Sequence, residues 1–270
     1  MTEIDVRLEA LLEAAGEPLV PLPSELETAH GGSFPLPERI VYGNFVSSVD
    51  GIAAIAGLEM SSAEISGGAS ADRFMMALLR ATADAVVVGA GTLREHGGPW
   101  TAEKAFPAGA DAFRRLRAEL SSAESPTLVV VTASGELPAD HTSLGDAVVV
   151  TTSSGARALA EREVRCADAI DVGDVVEVGG RAVIDHLRGR GFNRILTEGG
   201  PRLMGAMLEA GAVEQLFLTI SPKLVGGGSG RSPLTDEADL LDSDRGMRLL
   251  SVRRAGNYLF LRYELSDRAD

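Results

Sequence analysis

Cysteine is nearly absent. Cys166 stands alone among 270 residues, so no internal disulfide can form and no Cys-x-x-Cys pair exists to hold zinc or carry a redox couple. Histidine is scarce too. The chain has four, none paired at ligand spacing, so no metal site is expected. Positive charge is in short supply, with 25 Lys plus Arg against 39 Asp plus Glu and a formal charge of −14. A surface this acidic repels phosphate backbones and anionic lipid, which argues against nucleic acid and membrane and leaves small molecules or further copies of the chain as partners. No run of about 18 uncharged apolar residues occurs, so no transmembrane span is expected. The first residues carry Glu3, Asp5, Arg7, Glu9 and Glu13, which is not the pattern of a signal or transit peptide. A reducing cytoplasm is the expected home.

What the sequence does have is 45% hydrophobic residues, enough for a sizeable core. Residues 1–38 read as an appendage: an amphipathic helix over Thr2 to Ala15 with Ile4, Leu8, Leu11 and Leu12 on one side, then an extended arm with Pro18, Pro21, Pro23, Pro35 and Pro37. From Arg39 to the end at 270, apolar β-branched runs alternate with helical periodicity, as in an α/β sheet. Strands are expected at Ile40 to Val46, Ala85 to Val88, Leu128 to Val131, Ala147 to Thr151, Val175 to Val178, Arg194 to Thr197, Gln215 to Ser221 and Tyr258 to Glu264. Met247 to Arg254 adds a strand joined to the last by a tight antiparallel turn at Ala255-Gly256. Helices are expected at Ser70 to Thr82, Gly155 to Glu163, Gly180 to Arg188 and Pro201 to Ala210, with 97–125 as an insertion carrying a charged helix at Asp111 to Leu120. Ala85 to Val88 is apolar on both faces, so helices should cover both sides of the sheet.

Three strand ends carry the chemistry. Val86-Val87-Val88-Gly89-Ala90-Gly91-Thr92 runs a strand into a glycine turn and a helix start, where bare backbone and free amides suit a phosphate. It is not a Rossmann fingerprint, because Arg94 stands where the third glycine belongs, and no Walker lysine is present. Thr197-Glu198-Gly199-Gly200-Pro201-Arg202-Leu203 has the same form, with Pro201 suited to the first helical position. Two such turns in one sheet can clamp a diphosphate, while Glu198 suits a neutral or cationic part of a ligand, or is a solvated turn carboxylate. Asn44-Phe45-Val46-Ser47-Ser48-Val49-Asp50-Gly51 leaves its strand through Asp-Gly, which reads as a plain turn or as an acid able to supply a proton.

In this order and spacing, joined by Ile65-Ser66-Gly67, Leu78-Leu79-Arg80-Ala81, Ala83-Asp84-Ala85 and Ser221-Pro222-Lys223-Leu224-Val225-Gly226-Gly227, the segments resemble the reductase domain of riboflavin biosynthesis. That domain is the C-terminal half of the bifunctional bacterial deaminase-reductase. The resemblance covers about Arg39 to Leu265. It implies a dihydrofolate reductase-like three-layer fold, with a mostly parallel mixed sheet, an antiparallel C-terminal strand and helices on both faces. It also implies a homodimer that uses NADPH to reduce the ribosyl group of 5-amino-6-(5-phosphoribosylamino)uracil, a phosphoribosylaminopyrimidine, by hydride transfer to C1′. Carried over residue by residue, cofactor contacts fall on Val46, Gly89, Gly91, Thr92, Ser134 and Gly199 through Leu203, that is Gly199, Gly200, Pro201, Arg202 and Leu203. Substrate contacts fall on Ser62, Arg80 and Glu198, with Glu198 also a catalytic candidate. Asp50 is added on chemical grounds as a proton donor.

The deaminase zinc signature cannot be built from Cys166 and four scattered histidines, so a stand-alone reductase is expected. The chain departs from the family pattern at His96, which replaces an aspartate, at Glu64, which replaces an aromatic, and at Lys104, the stand-in for a substrate-phosphate arginine. No Arg or Lys adjoins Thr132-Ala133-Ser134-Gly135 to meet a 2′-phosphate, and Arg157 on the next helix is the nearest candidate. Two alternatives stay open: a dihydrofolate-type reductase, for which Ser70 to Thr82 offers only Asp72 as the acid, and a non-catalytic NADPH-binding paralogue.

Overall fold

The computed structural model describes residues 4–58, 61–235 and 246–266. In chain order the elements are β1 (Glu9–Glu13), β2 (Leu19–Val20), α1 (Ser24–His30), β3 (Phe34–Pro35), β4 (Ile40–Ser48), β5 (Ile52–Ile55), α2 (Ser61–Ser66) and α3 (Ser70–Thr82). There follow β6 (Ala85–Gly89), α4 (Ala90–Glu95), α5 (Ala102–Ala105), α6 (Ala110–Glu119), β7 (Thr127–Thr132), β8 (Val148–Thr151), α7 (Ser153–Glu161) and β9 (Asp168–Asp171). The last are α8 (Gly180–Gly189), β10 (Arg194–Thr197), α9 (Pro201–Glu209), β11 (Gln215–Ser221), β12 (Arg231–Pro233), β13 (Gly246–Ala255) and β14 (Tyr258–Ser266).

Ten strands form one sheet in the order β1-β13-β14-β11-β4-β10-β6-β7-β8-β9. From β11 to β9 neighbouring strands are parallel; β14, β13 and β1 add antiparallel to the other side. Alternation along each strand splits the core. Val86 and Val88 join a cluster with α3 and α6, whereas Ala85 and Val87 join one with α8 and α9. The expected α/β architecture with helices on both faces is therefore present. The segment 97–125 is more than an insertion. Trp100, Phe106 and Phe113 are buried, and both phenylalanines pack their rings against Phe74 of α3.

The N-terminal region corrects the expectation of a helix. Residues 9–13 form β1, paired antiparallel with β13 through a bulge. Val6 and Leu8 are buried, while Leu11 and Leu12 are 51% and 44% exposed. An isolated helix of this length is marginal, whereas the open edge of β13 offers a full row of backbone partners. Charge fixes the choice: Glu9 meets Arg254 at 2.5 Å, Glu13 meets Arg253 at 2.6 Å, and Glu17 pairs with Arg262. The proline-bearing arm is likewise broken by α1, whose Leu26 and Ala29 enter the main core.

A second correction concerns Val175 to Val178. The strand there is β9, seven residues earlier, which pairs with β8 from Val148 opposite Asp168 to Thr151 opposite Asp171. Gly173, at φ +101°, then turns the chain away from the sheet, and Val176 is left 92% exposed. A β-branched run is only strand-like in isolation; the place beside β8 had already been taken by β9.

Candidate active site at the reversal of strand order

Strands β6 to β9 run outward in sequence order, but β10 returns to insert between β4 and β6. Crevices at the carboxyl ends of parallel strands open at such reversals. All three motif-bearing strands are therefore neighbours here: β4 ending at Ser48, β10 ending at Thr197 and β6 ending at Gly89.

The centre of the crevice is a buried ion pair. Arg80 Nε donates to Glu198 Oε1 and Oε2 at 3.2 and 3.0 Å, and Nη2 donates to Oε2 at 2.6 Å. Their side chains are 11% and 8% exposed. Asn44 Nδ2 donates to Glu198 Oε1 at 3.3 Å, so one carboxylate gathers a cation from α3 and an amide from β4. A fork-to-fork pair of this kind fixes orientation as well as charge.

Each partner is held from behind. Asp84 caps the start of β10, accepting from the amides of Asn193 and Arg194 at 2.7 and 2.8 Å. Arg117, 2% exposed, donates through Nη1 to the carbonyls of Arg80, Ala81 and Ala83 at the end of α3. Tyr42 Oη donates to Leu79 O at 2.9 Å. The sequence motif Ala83-Asp84-Ala85 thus has a positioning job, and Arg117 does the same job with no signal in the sequence to announce it.

The two glycine turns touch each other. Gly200 N donates to Thr92 Oγ1 at 3.1 Å, which leaves the threonine proton free to donate onward. A Cβ on Gly199 would lie 2.5 Å from Leu203 Cδ2, so this turn must stay bare, while Gly91 faces open space. Gly89 caps α4, and Gly200 precedes Pro201 at the start of α9. Arg202 points outward, 85% exposed and paired with Glu177 at 2.9 Å. Beyond β6, the turn after β7 holds Ser134, which accepts from Glu136 N at 3.2 Å. That turn packs on the start of α7, where a Cβ on Gly135 would lie 2.2 Å from Gly155 O. Val46, Gly200, Thr92 and Ser134 therefore follow one another along the ends of β4, β10, β6 and β7, three strand spacings or about 14 Å.

His96 follows α4 directly, and its carbonyl lies 2.9 Å from His141 Nε2. Burial pushes its imidazole below the usual histidine range, with Arg80 adding to the effect against Glu95 and Glu198. It is neutral at neutral pH. Ser62 lies on α2, which packs on β4, β5 and β11; no hydrogen bond among the described residues joins it to Arg80 or Glu198. The same holds for Lys104 on α5.

Asp50 takes a different part from the proton donor expected of it. Its carboxylate accepts from Gly226 N at 2.6 Å and Val225 N at 3.2 Å. The Ser48 hydroxyl and these two amides lower its pKa to about 2. A carboxyl held there has no proton to give at neutral pH and acts as a clamp between the end of β4 and the chain after β11.

Asp72 is the residue that sequence reasoning undervalued. It lies in the first turn of α3 and is 6% exposed, with the Thr219 side chain as its hydrogen-bond partner. No ion pair to it exists among the described residues. Burial raises its pKa to about 6, and the charge of Glu198 adds to the effect.

A family model described as the RibD C-terminal domain matches residues 39–261. The chain is 26% identical over 178 residues to the riboflavin biosynthesis protein PYRR, chloroplastic, of Arabidopsis thaliana, covering 64% of this chain and 26% of that protein. It is 27% identical over 196 residues to the 2,5-diamino-6-ribosylamino-4(3H)-pyrimidinone 5′-phosphate reductase of Methanothermobacter thermautotrophicus, covering 72% and 82% respectively. It thus spans about a quarter of the plant protein and most of the archaeal one. A pyrimidine reductase-like protein from Corynebacterium diphtheriae superposes with a TM-score of 0.70 at 23% identity, covering 90% of this chain and 99% of that one. The deaminase/reductase of Thermotoga maritima gives 0.60 at 17%, covering 85% and 57%. These likenesses establish the fold as that of the RibD reductase domains, dihydrofolate reductase-like. Because the family match runs unbroken through β4, α3, β6, β10 and α9, the elements that build the crevice, the chain belongs to the RibD C-terminal domain family.

Proposed function

We propose that the chain is an NADPH-dependent reductase acting on a phosphoribosylaminopyrimidine, and that it works as a homodimer. The observation that carries this reading is the buried Arg80–Glu198–Asn44 cluster beside two glycine turns that Thr92 ties together. The printed activity of the archaeal relative supports the substrate class.

The residues present fit a dinucleotide. Thr197 Oγ1 is buried with no hydrogen-bond partner, and the turn above it has no room for a side chain at Gly199. When bound, the reduced nicotinamide supplies a hydride to C1′ of the opened ribosyl group. Val46 backbone would position the nicotinamide end, the Thr92 hydroxyl with the amides of Arg202 and Leu203 the diphosphate, and Ser134 the adenosine end. Arg157, on α7 and two residues beyond the Gly155 contact, is the cation for a 2′-phosphate. Arg80 and Glu198 would hold the amino-substituted end of the substrate, with the carboxylate stabilising the positive charge that a protonated C=N acquires. The ion pair is shielded from water, which strengthens that effect.

The test is NADPH oxidation by purified protein on adding the 2-amino or the 2-oxo phosphoribosylaminopyrimidine. Turnover of either supports the reading; turnover of neither overturns it. Asp72 favours one further reading: an acid buried on α3 suits a dihydropterin, and dihydrofolate as sole substrate in the same assay decides it.

A further inference from the structure

The crevice lies at the carboxyl ends of the parallel strands; the opposite end of the sheet holds a second cleft, of about 280 Å³. It is bounded by α8, the turn after α9 and the start of β4. Three arginines line it, Arg39, Arg181 and Arg188, together with two carboxylates, Asp185 and Glu214. Arg181, Asp185 and Arg188 stand four and seven residues along α8, so they share one face of that helix. In a chain of charge −14 this end is a basic exception, since residues 180–194 carry four arginines against one aspartate. Strand β4 runs from here to the crevice, eight residue steps or about 26 Å away. No side chain reaches both.

Structural duties account for two of the arginines only in part. Arg181 Nη2 donates to the carbonyls of Ala210 and Gly211 at 3.2 and 2.5 Å, just past α9. Arg188 Nη1 donates to the carbonyls of Phe192 and Asn193, while its Nη2 lies 3.7 Å from Glu214 Oε2, beyond hydrogen-bond reach. Each guanidinium is thus anchored by one nitrogen and keeps N–H groups to spare. Arg39 has no such duty: among the described residues it makes no hydrogen bond or ion pair. Burial already holds the pKa of Arg188 down, and the charge of Arg39 adds to that. Glu214 offsets this only in part, because its Oε2 also accepts from Val41 N at 2.7 Å.

We propose that this cleft is a second small-molecule site, which takes the phosphate ester of a small polyhydroxy compound. The phosphate would lie among the three guanidinium groups, whose forks match its oxygens. The cleft is far larger than the volume of about 30 Å³ that one water occupies, so the ligand has a body besides its anion. Asp185 and Glu214 only accept hydrogen bonds and would repel a second anion, so that body carries hydroxyl groups rather than carboxylates. The site stands whichever reaction the crevice performs.

The test is calorimetric titration of the full chain with ribose 5-phosphate, inorganic phosphate and ribose in turn. Ribose 5-phosphate should bind, inorganic phosphate should bind about tenfold more weakly for want of the hydroxyl contacts, and ribose should give no signal. Arg39→Gln removes a cation that makes no structural bond, so its urea midpoint should match wild type while its affinity for ribose 5-phosphate falls by about tenfold or more. Arg181→Gln should weaken binding in the same way. Thr92→Val, in the distant crevice, should leave it unchanged. Absence of binding, or binding that neither arginine variant moves, overturns the proposal, since a ligand seated in the crevice would not sense Arg39. Inorganic phosphate binding as tightly as ribose 5-phosphate overturns the polyhydroxy body.

Discussion

Removing the charge of Glu198 tests how much of the crevice depends on one carboxylate. In Glu198→Gln the buried guanidinium of Arg80 loses its counter-ion, and a buried pair broken on one side is destabilised by about 3 kcal/mol. The catalytic loss should be larger in kind: kcat/KM for the pyrimidine falls by about 100-fold, the range for losing a positioned charge, while affinity for NADPH, titrated separately, changes less than about threefold. A non-catalytic paralogue would show the destabilisation without any rate to lose. Asp72 makes a prediction about stability. The unfolded chain releases this proton near 3.8, the folded chain near 6. Between those values the unfolded state binds fewer protons, so stability falls as pH rises, and above about 6 the full penalty of about 3 kcal/mol is present. Asp72→Asn should therefore be more stable than wild type at pH 7, with the difference vanishing below about pH 4. His30 slopes the other way in the same window, since burial, and then the charge of Arg253, hold its pKa down to about 3. The readout is thus the difference between the two proteins in urea unfolding. Asp72 escaped the sequence reading because nothing local marks it; only the packing of α3 on β11 takes it out of water. Arg80 and Glu198, 118 residues apart, could be paired in advance only through resemblance.

At the scale of elements, the core was legible where apolar periodicity is strong and both ends are punctuated. Helix α3 and strand β10 occupy the expected residues, Ser70–Thr82 and Arg194–Thr197. The failures share one cause. Strand β1 depends on β13, some 240 residues away, and on glutamates that find Arg253, Arg254 and Arg262; a helical pattern in a short segment cannot reveal that. Val175 to Val178 had the composition of a strand, but β9 had already taken its place beside β8 and Gly173 turns the chain away. The N-terminal region is consequently part of the core. Leu8→Ala, at a side chain 3% exposed, should lower unfolding stability by about 2–4 kcal/mol, measured as a shift in urea midpoint at constant slope. A region that merely hangs from the domain would show a change within about 0.5 kcal/mol.

For the whole molecule, the −14 charge and the anionic ligands pull in opposite directions. Local donors at Thr92 and around Gly200 must hold what the distant surface repels. Long-range repulsion is screened beyond a Debye length of about 10 Å at 0.1 M salt, whereas contacts inside the crevice are screened far less. Raising ionic strength from about 0.01 M to about 0.1 M should therefore raise kcat/KM for NADPH, the reverse of an electrostatically steered enzyme. A fall over that range would mean that a basic patch guides the ligand. The acidic count thus describes the surface at large, while members such as Glu9, Glu13, Glu17, Asp50, Asp72, Asp84 and Glu198 are committed to building the fold and the crevice.

The most direct test of the central claim follows a single atom. Wild-type protein is given the phosphoribosylaminopyrimidine and NADPH carrying deuterium at the transferable position, and the product is analysed by mass spectrometry. The account predicts one deuterium in the product, located at C1′ of a ribityl chain, and about 100-fold less of it per unit time from Glu198→Gln. Turnover with the label elsewhere, or no labelled product at all, would contradict it.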